Sequence, residues 1–265
     1  MSGFPFYVVN AFTTEAFCGN PAGVIVVDDF LSDQMLKNLV KESHLPEVSF
    51  VRARPQSGEF DIRWFTSELE LDLCGHGTVG AAHAIFNHIA PSLNDLTFYF
   101  ADQQLVVSKV EQGYRLTFPS LVVELCQDET IKRAVEVAIG RPVKSLYQGR
   151  SYLAFIDNQR ELEALAPIKD KLVALDLPGV IVVTDGDELD YVCRYFAPQK
   201  GIFEDAVTGT AHSTITTLLS KTHGAKRFNA SQLSSRGGRL QAQLNDQGVE
   251  LTCDGFTSLV GQIFY

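Results

Sequence analysis

An internal repeat constrains this chain more than any other feature. Two stretches 134 positions apart each place a glycine turn at the start of a helix-forming run. Leu71-Asp-Leu-Cys-Gly-His-Gly77 leads into the run 78–89. Phe196-Ala-Pro198 leads through Glu204-Asp205 and Thr208-Gly-Thr-Ala211 into a run ending at Thr222. A helix N-terminus carries N–H groups without intrahelical partners and the positive end of the macrodipole, so each turn is a candidate anion site. Brought face to face by pseudo-symmetry, the two would hold one small carboxylate.

The repeat extends along both halves. Residues 105–118 match 240–253 as hairpins closed by Gln-Gly turns, and the strand 22–27 matches 151–156. A polar helix is expected after each of those strands, at 32–42 and 159–173, and then a further strand, at 47–53 and 179–185. The helices 78–89 and 211–222 are small and apolar on every side, which suits a buried helix wrapped by sheet. Further strands are expected at 6–12, 60–65, 96–100 and 114–118. The expected fold is α+β: two pseudo-symmetric lobes, each a curled, mostly antiparallel sheet around a central helix. The N-terminal lobe spans 1–119 and the C-terminal lobe 120–259, with the terminal strand 260–265 a candidate to complete the first.

Charge and cysteine content narrow the function classes. The net charge is −10 and no basic run exceeds Lys226-Arg227, which argues against a nucleic-acid surface. No stretch approaches the ~20 apolar residues of a membrane span, and the first residues lack the pattern of a secretory signal. Five scattered cysteines without CxxC spacing support neither a disulfide framework nor a zinc ribbon. A cytoplasmic protein is expected, with no metal and no organic cofactor.

The two halves differ where a catalyst needs them to differ. Glu47 opens one strand, while its counterpart near Gly179 has no side chain. Asp205 precedes the second turn, His76 lies inside the first, and Cys74 flanks it. All four would converge on a cleft between the lobes.

Asn10-Ala-Phe-Thr13, Gly19-Asn-Pro-Ala-Gly23, Pro46-Glu-Val-Ser-Phe-Val51 and Arg63-Trp-Phe-Thr66 are followed in order by Leu71-Asp-Leu-Cys-Gly-His-Gly-Thr78, Phe196-Ala-Pro198 and Gly201-Ile-Phe-Glu-Asp-Ala-Val-Thr-Gly-Thr210. In this order and spacing the chain resembles the PhzF-like phenazine-biosynthesis family of the diaminopimelate-epimerase fold superfamily, over essentially its whole length. The resemblance implies two pseudo-symmetric lobes, an active site between them and a homodimer. It implies that Glu47 removes a proton from carbon and that Asp205 contacts substrate or relays a proton. It also implies that His76 and Thr210 hold the substrate, helped by backbone amides of the turns at Gly75, Gly77 and Gly209. Racemases of the superfamily use two opposed cysteines; here the positions are Cys74 and Thr208, and a hydroxyl is too weak an acid to replace a thiol. A single carboxylate base, partly desolvated and moving a proton suprafacially, fits better. Pro46 stands where the family often has a small hydroxyl residue, so the phenazine-pathway substrate is not assigned. The expectation is a cofactor-independent isomerase of a small carboxylate-bearing metabolite. The alternatives are an amino-acid racemase or epimerase, and a non-catalytic carboxylate-binding protein.

Overall fold

A computed structural model describes residues 3–265. Its contacts divide the chain into two compact units. The first runs to Thr117 and takes in Thr252–Tyr265 from the other end; the second is Phe118–Leu251.

The first unit opens with β1 (Gly3–Ala11), β2 (Asn20–Val26), α1 (Asp33–Ser43), β3 (Val48–Ala53) and β4 (Glu59–Phe65). It continues with β5 (Glu70–Leu71), α2 (Gly75–Ala84), β6 (Asp95–Phe100), β7 (Gln103–Lys109) and β8 (Tyr114–Phe118). The second unit holds β9 (Glu124–Leu125), α3 (Glu129–Ile139), β10 (Ser145–Gln148), β11 (Tyr152–Phe155), α4 (Gln159–Glu163) and α5 (Lys169–Val173). Then come β12 (Val180–Thr184), β13 (Tyr191–Ala197), β14 (Ile202–Asp205), α6 (Gly209–His223), β15 (Arg227–Gln232), β16 (Gly238–Asn245) and β17 (Gly248–Cys253). The last strand, β18 (Gly255–Phe264), returns to the first unit and pairs antiparallel with β1 along its whole length. It is ten residues long, where the sequence suggested 260–265. Its N-terminal half, Gly-Phe-Thr-Ser, lacks the apolar alternation that marks a strand.

Duplication is explicit in the strand pairing. The pairs β1–β2, β2–β3, β3–β4, β4–β5, β4–β6 and β6–β7 run antiparallel, parallel, antiparallel, antiparallel, parallel, antiparallel. In the second unit β10–β11, β11–β12, β12–β13, β13–β14, β13–β15 and β15–β16 follow the same succession of directions. Parallel neighbours need a crossover. α1 supplies it between β2 and β3, α2 between β4 and β6, and α6 between β13 and β15.

Local chemistry explains where the helices stop and start. Ser32 caps α1 by accepting from Met35 N, and the chain leaves through a left-handed His44. Leu36, Leu39 and Val40 form the buried stripe of α1, packed with Ile25, Phe50 and Phe65. Each such side chain is worth about 1.5–3 kcal/mol when fully buried. α2 has no such stripe: every residue from Gly77 to Ala84 is buried, and the helix packs against β1, β2, β3 and β18. Its continuation differs from the regular helix expected to residue 89. Residues Ile85–Ile89 form a π turn, closed by Ala90 N donating to Ile85 O at 2.8 Å.

One expectation fails in the second unit, and one helix there was not read. The helix read across 159–173 is two short helices, α4 and α5, because Pro167 removes a donor and forces the residue before it out of helical geometry. α3 was not anticipated, although Asp128 caps it by accepting from Thr130 N and Ile131 N, and left-handed Gly140 ends it. No helix among the described residues is long and apolar enough to cross a membrane.

Candidate active site

Three predicted residues of the first unit meet at the N-terminus of α2. Glu47 directly precedes β3, and its carbonyl accepts from Gly23 N at 3.2 Å, which fixes the backbone at the strand mouth. Its carboxylate Oε2 accepts from Cys74 Sγ at 2.9 Å and lies 3.1 Å from His76 Nε2. Cys74 Sγ is also 3.6 Å from His76 Nδ1. The Glu47 and His76 side chains retain only 14% and 12% exposure, and Cys74 is 4% exposed. Carboxylate, thiol and imidazole thus share one nearly enclosed site at the positive end of a buried helix.

The sequence builds this arrangement from short-range rules. Cys74 is the N-cap of α2 and its sulfur does what a serine hydroxyl usually does there, accepting from Gly77 N at 3.3 Å. Thr78 Oγ1 donates back to Cys74 O at 2.7 Å, and Ser49 Oγ donates to Gly77 O at 2.9 Å. Gly77 is required by space: a Cβ there would stand 2.7 Å from Ser49 Oγ, 2.8 Å from Cys74 Sγ and 2.9 Å from Trp64 Cδ1. Because Gly77 N–H already serves the sulfur, the N–H groups of Gly75 and His76 are the ones that helix geometry leaves outside the ladder. The indole of Trp64, whose Cδ1 packs against Gly77, has its Nε1 buried without a hydrogen-bond partner.

The predicted residues of the second unit form their own cluster. Thr208 is the N-cap of α6, but its hydroxyl makes no cap bond and donates instead to Asp205 Oδ2 at 2.5 Å. Gln232 holds both: its Nε2 donates to Asp205 O at 2.8 Å, and its Oε1 accepts from Thr208 N at 2.9 Å. Gly209 is buried, whereas Thr210 is exposed on the first turn of the helix. The neighbouring Glu204 is taken up by a forked pair with Arg194, at 2.7 and 3.0 Å. The position matching Glu47 is Gly179, where a Cβ would lie 2.7 Å from the hydroxyl of Tyr195. An aromatic ring therefore fills the space that a carboxylate occupies in the first unit.

Ser49, Trp64 and Gln232 were not read as site residues. Ser49 carried a usable signal, since it lies two positions after Glu47 and so on the same strand face. Gln232 carried none: it is a fully buried glutamine at a strand end, made part of the site by tertiary contact alone.

A duplicated α+β fold, with a carboxylate, a thiol and an imidazole at the mouth of a buried helix, defines the class: this is a diaminopimelate-epimerase-like fold. The phenazine biosynthesis-like (PhzC-PhzF) family profile matches residues 9–258, and the chain belongs to that family. It is 35% identical to an uncharacterised isomerase of Halalkalibacterium halodurans over 98% of both chains. An uncharacterised isomerase of Pseudomonas aeruginosa is 31% identical over 93% of each. The crystal structure of a PhzF-family phenazine biosynthesis protein from Enterococcus faecalis matches with a TM-score of 0.94 at 32% identity, covering all of both chains.

Proposed function

We propose that the protein is a cofactor-independent isomerase that moves a proton between two carbons of a small carboxylate-bearing metabolite, with Glu47 as the base. Glu47 takes the proton from a C–H bond, whose electron pair passes into the substrate's conjugated system. The same carboxyl then returns the proton to a second carbon on the same face, so a double bond shifts and nothing is oxidised or reduced. Charge that builds on the substrate is stabilised by the α2 N-terminus, through the N–H groups of Gly75 and His76. His76 positions the carboxylate and contacts substrate. Asp205, Gly209 and Thr210 are assigned to substrate contact on the strength of the second glycine turn.

One observation carries this reading: the Glu47 carboxylate is held at the mouth of a buried helix by two donors while remaining partly open to solvent. The isomerase names of two relatives support it. The test is a screen of carboxylate-bearing metabolites with the protein in D₂O, read by mass spectrometry. A metabolite that gains one deuterium and is converted to a double-bond isomer is the expected result. Exchange confined to a single stereocentre, with racemisation, would replace the isomerase by the racemase. No exchange into any compound that binds would leave a binding protein.

A further inference from the structure

We infer that Glu47, Cys74 and His76 also form a binding site for a borderline-soft divalent cation such as Zn²⁺, and that the bound ion silences the base. The cation site stands on geometry alone; only its effect on turnover rests on the proposed isomerase. The three donor atoms form a compact triangle. Glu47 Oε2 is 2.9 Å from Cys74 Sγ and 3.1 Å from His76 Nε2, and Sγ is 3.9 Å from Nε2. Zinc binds thiolate at ~2.3 Å and imidazole or carboxylate at ~2.0–2.2 Å, which at tetrahedral angles puts donors roughly 3.3–3.6 Å apart. The carboxylate–thiolate edge is about 0.7 Å short of the top of that range, where a sulfur–oxygen pair belongs, and the other two edges are within about 0.3 Å of their ideals, so modest side-chain rotations seat the ion.

The donor set has the right chemistry as well. A thiolate and an imidazole suit Zn²⁺, and a carboxylate completes a net charge of −2 that balances the ion. Gly77 N–H donates to the sulfur at 3.3 Å, a bond that survives metal binding and stabilises the thiolate, as does the helix N-terminus. The remaining exposure of Glu47 and His76 gives entry and room for water as a fourth ligand. No metal spacing is visible in the sequence, because Glu47 lies 27 positions before Cys74 and is brought in by the fold.

On binding, the S–H proton is released to solvent, the proton on His76 Nε2 passes through solvent to Nδ1, and Sγ–metal and Nε2–metal bonds form, with no change of oxidation state. The Glu47 oxygen that would accept a proton from carbon is then committed to the ion.

The test is a titration of the metal-free full-length chain with Co²⁺, followed by displacement with Zn²⁺. Wild type should show a thiolate-to-cobalt charge-transfer band saturating at one equivalent, with one proton released per ion and loss of the band on adding Zn²⁺. Cys74→Ser should abolish the band, and His76→Gln should weaken binding at least 10-fold. Cys18→Ser, which leaves the cluster intact, should change neither. No band in wild type, or a band that persists in Cys74→Ser, overturns the site. Should Cys74→Ser fail to fold, unchanged binding in His76→Gln overturns it equally. With a substrate in hand, deuterium exchange should fall at least 10²-fold with Zn²⁺ bound and recover with a chelator. Unchanged exchange at full occupancy would overturn the silencing. Cobalt binding is read without turnover, so its absence would leave Glu47 as base untouched, and absence of exchange in metal-free protein would leave the cation site untouched.

Discussion

Glu47 offers one oxygen to two donors, the Cys74 thiol and the His76 imidazole, and this crowding sets what each substitution should do. Cys74→Ala removes a donor to the carboxylate and the N-cap of α2, so stability should fall by about 1 kcal/mol, the usual cost of a lost cap. Deuterium exchange should persist in that variant, because Glu47, the proposed base, remains. His76→Ala should raise KM and lower kcat together, as its proposed roles of orienting Glu47 and contacting substrate require; a change in KM alone would reduce it to a binding contact. Glu47, Cys74 and His76 were all legible as candidates, since motif and turn chemistry mark them. Their mutual distances were not, because the approach of β3 to α2 is a tertiary fact. Cys74 was read as one of the converging candidates and as a thiol lacking a partner at Thr208; that its sulfur also caps the helix and bonds Glu47 was not read.

At the scale of elements, each central helix carries a buried histidine bonded to a tyrosine. His83 Nδ1 is 2.9 Å from Tyr114 Oη, and His212 Nδ1 is 2.9 Å from Tyr191 Oη. Burial pushes the pKa of His83 down to about 4, aided by nearby His88, and that of His212 down to about 3. Both stay neutral in the folded protein, whereas the unfolded chain protonates them below a pH of about 6.5. Unfolding therefore takes up protons: this part of the stability is whole above pH 6.5 and is lost as the pH falls towards 4. The loss should reach about 2 kcal/mol per histidine by pH 5. Urea unfolding at pH 7 and 5 checks this, with His212→Gln expected to flatten the difference; an unaltered slope would mean that other groups set it. Gly77→Ala should cost about 1–3 kcal/mol, since its Cβ would overlap Ser49, Cys74 and Trp64. The central helices were legible because small apolar residues crowd them. The α4–α5 break was missed because the helical pattern was read across Pro167, and α3 because its caps lie in a stretch without a counterpart in the repeat.

At the scale of the whole chain, the duplication was the most legible property, because turn glycines and hairpins recur at a nearly fixed offset and the strand directions repeat in the same order. The asymmetry between the two units was only half legible. Gly179 announced a missing carboxylate, but the sequence did not show that Tyr195 takes its place. The family resemblance implies a homodimer, and sedimentation should give twice the chain mass of 29.2 kDa; a monomer at micromolar concentration would remove that expectation. Whether Glu47 carries the proton is decided by deuterium exchange into the substrate carbon in D₂O, comparing wild type, Glu47→Gln and Cys74→Ala. With Glu47 as the base, exchange should slow ~10²–10⁴-fold in Glu47→Gln, with substrate binding little changed, and fall much less in Cys74→Ala. Undiminished exchange in Glu47→Gln, with exchange abolished in Cys74→Ala, would contradict it and make the thiol the base.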